Sequence, residues 1–289
     1  MAAGDRQAAR ELQAELDELR WYHTIDVAPD VTTSGWWDLR HALAQMPFPD
    51  LHGKRCLDIG TWDGFYAYEM ERRGAAEVVA VDLPDLSDID FPPEVRADTT
   101  FDPNAPGEQQ RSDGFRKLHD VLGSSVKWQP GNIYDLPELG IGTFDFVMLG
   151  NLLLHLRDPV RALDAVRTIT AGQLLVADEM LLQTQLISRR RPLFQLRGMG
   201  RDFQWWLANE AGMRQMLHVG GFTIDRTSPP FLLRPGTPPR PSFTPKALFR
   251  RVAQLAFTRD ATPGAHLQKA YLATPRFRGP ADLPEATAS

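Results

Sequence analysis

The sequence predicts an α/β protein built on a doubly wound, mostly parallel sheet. Residues 56–83, CLDIGTWDGFYAYEMERRGAAEVVAVDL, read as a strand, a tight glycine-bearing turn, a helix and a second strand. Strand and helix patterns keep alternating after it, five strands in all, and that alternation builds parallel sheets. The second strand ends in Asp82, 24 residues beyond Asp58, where an acid in an open α/β sheet takes both ribose hydroxyls of a bound nucleoside. Ligands of such a sheet lie beyond the carboxyl ends of its strands.

Each element has its own signal. Ala9, Leu12, Leu16 and Leu19 fall on one face of a helix over residues 5–20. WYHTIDVAPDVTTSGWWDLR (21–40) is aromatic and turn-punctuated, so it is not expected to be one regular element throughout, with a helix to about Gln45 and a linker after it. RCLDIGT is the first strand, GFYAYEMERRGA a helix closed by Gly74, and EVVAVDL the second strand. Residues 84–113 are rich in Pro and Asp and read as an insertion loop. GFRKLHDVLGS is helical, VKWQPGNIYDL contains the third strand and FDFVMLGN is the fourth. DPVRALDAVRTIT is a helix with Pro159 near its start, and QLLVADEML is the fifth strand. Residues 183–204 read as irregular and basic. NEAGMRQMLHVGGF is a helix with Asn209 as N-cap and Gly220-Gly221 as its stop. TIDRTS and HLQKAYLAT are late strands, and the Pro-rich insertion 228–265 between them holds one basic helix, PKALFRRVAQLAF.

Composition narrows the function classes. A lone cysteine, Cys56, rules out an intramolecular disulfide framework and a Cys-based zinc cluster. The apolar runs are too short for a bilayer and residues 1–20 lack a signal's apolar core, so a cytoplasmic location without membrane contact is expected. A net charge of −5 argues against nonspecific coating of nucleic acid. Residues 189–201 nevertheless carry five arginines and no acid, and from Arg234 onward nine Lys/Arg face three Asp/Glu. That is either a solvated positive face or a docking patch for a phosphate- or carboxylate-bearing partner.

The glycine loop narrows the cofactor. A dinucleotide fingerprint G-x-G-x-x-G needs a second Gly so that pyrophosphate can approach the backbone. Trp62 stands there, and Phe65 to Tyr68 is bulky throughout. A cofactor without pyrophosphate is expected. LDIGTWDG resembles motif I of class I S-adenosylmethionine-dependent methyltransferases, and PGNIYDL and LGNLLLHLRDP resemble their later motifs. The resemblance implies a seven-stranded Rossmann-like methyltransferase domain over residues 51–289, under a helical and aromatic cover over 1–50. It implies cofactor contacts from Asp58, Gly60, Trp62, Asp63 and Gly64, from Asp82 and Leu83, from Asn132 and Ile133 at the adenine, and from Gly150 and Asn151 beside the methionine end. Trp62 is expected against the cofactor, against the cover, or buried between loop and sheet.

Together with WYHTIDVAPDVTTSGWWDLR and WWLANEAGMRQMLHVGGF, these motifs resemble the family related to tRNA wobble-uridine methyl- and carboxymethyltransferases, over residues 21–222. That family includes small-molecule enzymes. Its tRNA enzyme uses a carboxylated donor, held by a Lys ahead of the nucleotide domain and a Tyr just before the His that follows the fourth strand. This chain has Leu154 before His155 and no lysine before Lys54. Ordinary S-adenosylmethionine and methyl transfer are therefore expected, with tRNA disfavoured as partner.

The sulfonium methyl is already activated, so the enzyme mainly aligns a nucleophile, and an O or C nucleophile also needs a base. His155, as readily a structural residue, and Glu179 or Asp178 at the end of the fifth strand, each a base or a metal ligand, are the candidates, and His23 is expected to orient an acceptor hydroxyl. Trp36-Trp37 and Trp205-Trp206 suggest an aromatic acceptor cleft, and Arg189 and Arg190 an anionic handle on the acceptor. A phenolic or polyketide acid fits, as does a prenyl diphosphate, which would bring Mg2+ to acids such as Glu179. Specialised biosynthesis is the expected setting. The rivals are a tRNA-modifying enzyme and a non-catalytic nucleotide-sensing or partner-binding module. Oligomeric state stays open, a homodimer included.

Overall fold

Side chains alternate across buried strands, and here both faces of the sheet are apolar, so a core forms on each side. This computed structural model describes residues 3–98, 111–199, 204–238, 240 and 244–277. Ten strands form one sheet: β1 (Trp21–His23), β2 (Gly35–Asp38), β3 (Arg55–Ile59), β4 (Glu77–Asp82), β5 (Lys127–Pro130), β6 (Phe144–Gly150), β7 (Thr170–Glu179), β8 (Phe222–Thr227), β9 (Phe231–Pro235) and β10 (His266–Pro275). The helices are α1 (Ala3–Asp17), α2 (Phe65–Arg72), α3 (Pro93–Ala97), α4 (Arg111–Leu122), α5 (Pro159–Ile169), α6 (Leu182–Ile187), α7 (Glu210–Val219) and α8 (Pro245–Thr258).

The strand order is β1-β2-β9-β10-β7-β6-β3-β4-β5, with β8 beside β10. β3 to β7 run parallel and β10 is antiparallel to β7. On one face Cys56, Ala80, Phe146 and Leu175 pack with Phe65 and Met70 of α2 and Phe115 of α4. On the other, Leu57, Val79, Val147 and Val176 pack with Leu163 and Val166 of α5 and Met213 and Leu217 of α7. Each such fully buried large side chain contributes about 1.5–3 kcal/mol. With α2 and α5 on opposite faces, the winding reverses between β3 and β6, and a crevice opens at the carboxyl ends of those strands.

The seven expected strands are present, and three more extend the sheet. The segment 21–40 is no single regular element, as expected, but its short strands join the sheet: β1 and β2 pair in parallel, Trp21 opposite Gly35 and His23 opposite Trp37. β9 lies inside the Pro-rich insertion, pairs with β10, and then pairs with β2 through Arg234–Asp38 and Pro235–Trp37. Prolines at 229, 230 and 235 hide this strand in the sequence, because Pro is tolerated only at strand ends and edges. The expected helix to Gln45 is only a 3-10 turn, Arg40–Ala42. The insertion 84–113 contains a turn at Leu86–Asp88 and α3, while residues 99–110 lie outside the described residues. Residues 183–204 include most of α6 and a strand, Phe194–Leu196, antiparallel to Trp206–Ala208. α7 is capped as expected, the Asn209 Oδ1 accepting from the Gly212 N–H at 2.8 Å.

Gly35 is where the cover is clamped. A Cβ there would lie 2.1 Å from the His23 carbonyl carbon. Gly35→Ala should therefore destabilise the protein by about 1–3 kcal/mol, as overpacking does. Denaturant unfolding measures this, and an unchanged midpoint would mean β1 and β2 do not approach so closely.

Candidate active site

The crevice is a cavity of about 1510 Å³, its open mouth included. Its floor is the β3–α2 loop, Gly60-Thr61-Trp62-Asp63-Gly64. Trp62 sits at φ 51°, a left-handed conformation that bulky residues rarely adopt. Two contacts hold it there. Its N–H donates to Asp82 Oδ2 at 2.6 Å, and its indole stacks on Tyr22, ring centroids 4.6 Å apart. So the indole meets the N-terminal cover and also lines the cavity.

Asp82 receives the Leu83 N–H on its other oxygen at 2.8 Å. A carboxylate has about four acceptor positions, so two backbone bonds leave it suited to hydroxyl donors as well. Gly60, Leu83, Asn132, Ile133, Gly150 and Asn151 line the same cavity. Gly150 is a position where only hydrogen fits, since a Cβ would lie 2.3 Å from the Tyr66 ring.

Two polar atoms on this wall are buried without a hydrogen-bond partner, the Tyr66 hydroxyl and Asn151 Oδ1. Burial pushes the Tyr66 phenol up from its ordinary range, so it keeps its proton. Buried polar atoms left unpaired cost about 1–3 kcal/mol each, and both are placed to be satisfied by a ligand. Asp82, Asp88 and Asp90 line the cavity, and no Lys or Arg does so among the described residues. Such a wall suits a cation and disfavours pyrophosphate.

Asp63 works from behind the floor. Its Oδ2 accepts the N–H groups of Tyr22 (2.9 Å) and His23 (2.8 Å), and its Oδ1 lies 2.5 Å from His23 Nδ1. The His23 ring stacks on Phe65, centroids 5.1 Å apart, and lines the cavity. A carboxylate only accepts, so Nδ1 carries the hydrogen and Nε2 is left as the basic nitrogen.

Of the residues singled out from sequence, His23, His155, Trp36 and Trp62 reach the cavity with the Asp82, Asn132 and Gly150 groups. Asp58, Asp63 and Gly64 do not line it. Asp58 is buried behind the loop, where it accepts the Ala67 N–H at 3.1 Å in the first turn of α2, and Gly64 is that helix's N-cap. Glu179 is turned away to His266 (2.9 Å) and Gln204 (3.4 Å), so it is corrected as a cavity base or metal ligand. Trp37 packs edge-on to His266 outside the cavity. Trp205 and Trp206 are framework: their indole N–H groups donate to the Asp90 carbonyl (2.6 Å) and the Arg157 carbonyl (3.1 Å). Arg189 and Arg190 line a separate cleft with Glu210, Arg214 and Phe257, and neither lines this one.

Sequence reasoning missed Tyr22, Tyr66, Tyr134 and residues 88–91. The last four were hidden in an apparent loop. Asp90 anchors them, its Oδ2 accepting from the Tyr134 hydroxyl (2.7 Å) and the Arg157 N–H (2.8 Å). Tyr66 had a usable signal, a Tyr in the first helical turn after the glycine loop.

Known proteins place this geometry. The family described as "Methyltransferase domain" matches residues 37–225, and the chain belongs to that family. It thus carries an S-adenosylmethionine-dependent methyltransferase domain, with S-adenosylmethionine as its cofactor. It is 29% identical over 137 residues to a tRNA U34 carboxymethyltransferase of Campylobacter hominis, a match covering 47% of this chain and 39% of that protein's length. In fold it is similar to the N-terminal domain of EvdMO1, solved with S-adenosylhomocysteine bound. The TM-score is 0.53 at 13% identity, covering 92% of this chain and 97% of the other. A chain in the complex of the Haloferax volcanii Trm112 methyltransferase activator with a methyltransferase is also similar. There the TM-score is 0.50 at 15% identity, with 94% and 95% covered.

The residues fit this cofactor. Asp82 can take ribose hydroxyls, Asn132 and Ile133 can flank the adenine, and the unpaired Asn151 Oδ1 can accept from the methionine ammonium. Asp82→Ala should weaken S-adenosylhomocysteine binding by about 1.5–3 kcal/mol, roughly 10- to 150-fold; unchanged calorimetric affinity would move the site elsewhere.

Burial also pushes the Asp58 carboxyl from 3.8 up to about 7. The folded protein then keeps a proton that the unfolded chain loses near pH 4, so this stabilising contribution is full below pH 4 and is lost as pH rises through about 7. Asp178, raised to about 7 by burial, adds to the same drift. Wild type should lose thermal stability between about pH 5 and pH 8, and Asp58→Asn should show a shallower loss. Equal slopes would mean that Asp58 is ionised when folded.

Proposed function

We propose that this methyltransferase acts on a small, largely apolar, hydroxylated aromatic acceptor, with His23 as the base that takes the hydroxyl proton. The observation that carries this reading is His23, which lines the cavity with the buried Asp63 carboxylate held against its Nδ1 from behind. S-adenosylmethionine supplies an activated methyl group, and the protein supplies alignment and a place for the proton. Asp63 fixes the imidazole's tautomer and stabilises the charge that appears when Nε2 is protonated. Tyr22, Trp36, Trp62 and Phe91 offer flat apolar walls to an aromatic ring. His155 lies on the same cavity and is assigned to acceptor positioning.

The anionic handle expected from Arg189 and Arg190 is withdrawn, because those arginines belong to another cleft and acids line this one. A prenyl diphosphate with Mg2+ loses its support with it. The likeness to the Campylobacter hominis protein favours a second reading, transfer to tRNA. Against it, the lining holds three acids and, among the described residues, no Lys or Arg to pair with the additional carboxylate of a carboxylated donor. A role in specialised metabolite biosynthesis agrees with the aromatic acceptor.

The test uses methyl-labelled S-adenosylmethionine with a panel of phenols and with bulk tRNA. His23→Asn should lower turnover on phenols about 10²–10⁴-fold, the usual worth of a general base, while S-adenosylhomocysteine affinity stays within about threefold. Undiminished turnover would remove His23 from the chemistry. Label appearing in tRNA alone would install the second reading.

A further inference from the structure

We propose that α8 and the arginine-rich segment following α6 dock this protein on an anionic membrane surface. Twelve large hydrophobic side chains are exposed among the described residues, and nine of them lie in residues 186–199 and 248–255. Residues 182–199 and 245–259 together hold eight Lys or Arg and no Asp or Glu, in a chain whose net charge is −5. The two segments meet where the Arg189 guanidinium sits over the Phe257 ring, 5.3 Å from its centroid.

The helix itself shows why a surface is wanted. α8 is anchored by its inner face, with Ala253 and Gln254 buried and the Gln254 amide donating to the Ala265 carbonyl at 2.8 Å. Leu248, Val252 and Leu255 repeat at spacings of four and three on the opposite side and are 55%, 59% and 49% exposed. A helix anchored on one face normally turns charge outward. Here aliphatic side chains point outward, with Lys246 and Arg251 on the same helix and Arg189 and Arg190 beside it. This is the pattern of an interfacial helix, which buries its apolar face at the acyl boundary and leaves cations among headgroups.

Charge chooses the occupant. An isologous dimer through this face would set basic segment against basic segment. Nucleic acid would meet the cations and leave the aliphatic side chains without a partner. An anionic lipid surface satisfies both. Among the described residues, two acids beside these segments are already paired, Asp260 with Arg234 and Glu210 with Arg214 and Lys269. No described helix is long and apolar enough to cross a membrane, so the attachment is peripheral. The sequence-based expectation of no membrane contact rested on spanning segments and signals alone.

Sedimentation of the full chain with vesicles tests this. Phosphatidylcholine vesicles containing about 30% phosphatidylglycerol should bind at least about tenfold more protein than phosphatidylcholine alone at about 0.1 M salt, and lose most of it at about 0.5 M. Val252→Glu combined with Leu255→Glu should lower that binding at least about tenfold, with melting temperature and S-adenosylhomocysteine affinity unchanged. Equal partition to both vesicles, no binding to either, or undiminished binding by the double variant would overturn the proposal. So would a solution dimer that the same variant dissolves.

Discussion

The Asp63 carboxylate joins two parts of the chain that are forty residues apart, and the candidate site hangs on that junction. It sits in the turn after the first parallel strand and collects two backbone N–H groups and one imidazole from the N-terminal segment. Those bonds are buried, where charge-assisted hydrogen bonds are strong and an unpaired partner is costly. Because they arrive at consecutive residues, they set the register of β1, and β1 sets β2 through its pairing. β9 then closes the circuit back to β10. The cover is therefore part of the sheet's hydrogen-bond network, and the wall that carries Tyr22 and His23 is held by the same loop that floors the cofactor cavity.

That arrangement explains a tryptophan in a glycine loop. A bulky residue in the left-handed region costs on the order of 1–3 kcal/mol. The Asp82 bond to its N–H and the Tyr22 stack offset that cost. A glycine at 62 would be conformationally easier, but it would leave Tyr22 without its stacking partner. The loop has given up pyrophosphate access for an aromatic joint between floor and cover, which a phosphate-free cofactor permits.

The core was legible because its signals are local and repeated. Apolar strand runs, helix stops at Gly74 and Gly220, the Asn209 cap and Asp82 at the end of its strand all lie within a few residues of what they specify. Legibility failed where a residue's role depends on which way its strand end faces. Glu179 and Arg189 sit in plausible sequence contexts, yet pairing with β10 turns the first toward His266 and the loop after α6 takes the second to Phe257. Asp63 was read as a cofactor contact because it lies in the motif; its partner, forty residues upstream, leaves no local trace. β9 was missed for the opposite reason, since its prolines outweigh a short apolar run.

Charge is sorted over the molecule in a way that its modest net value conceals. Acids converge on the cavity, where a sulfonium and an ammonium are the natural visitors, and the described lining holds no basic residue except two histidines. Basic residues free of acids occupy α8 and the segment after α6. Focused fields of this kind act on encounter and on residence at a surface more than on the fold. The cavity that suits a cationic cofactor shares no lining residue with the basic segments proposed to meet an anionic surface, so the two would not compete for the same groups. An apolar aromatic acceptor partitions into membranes as readily as into the Tyr22–Trp36–Trp62 walls. Holding the enzyme at that surface would raise the local supply of such an acceptor without any new contact in the active site.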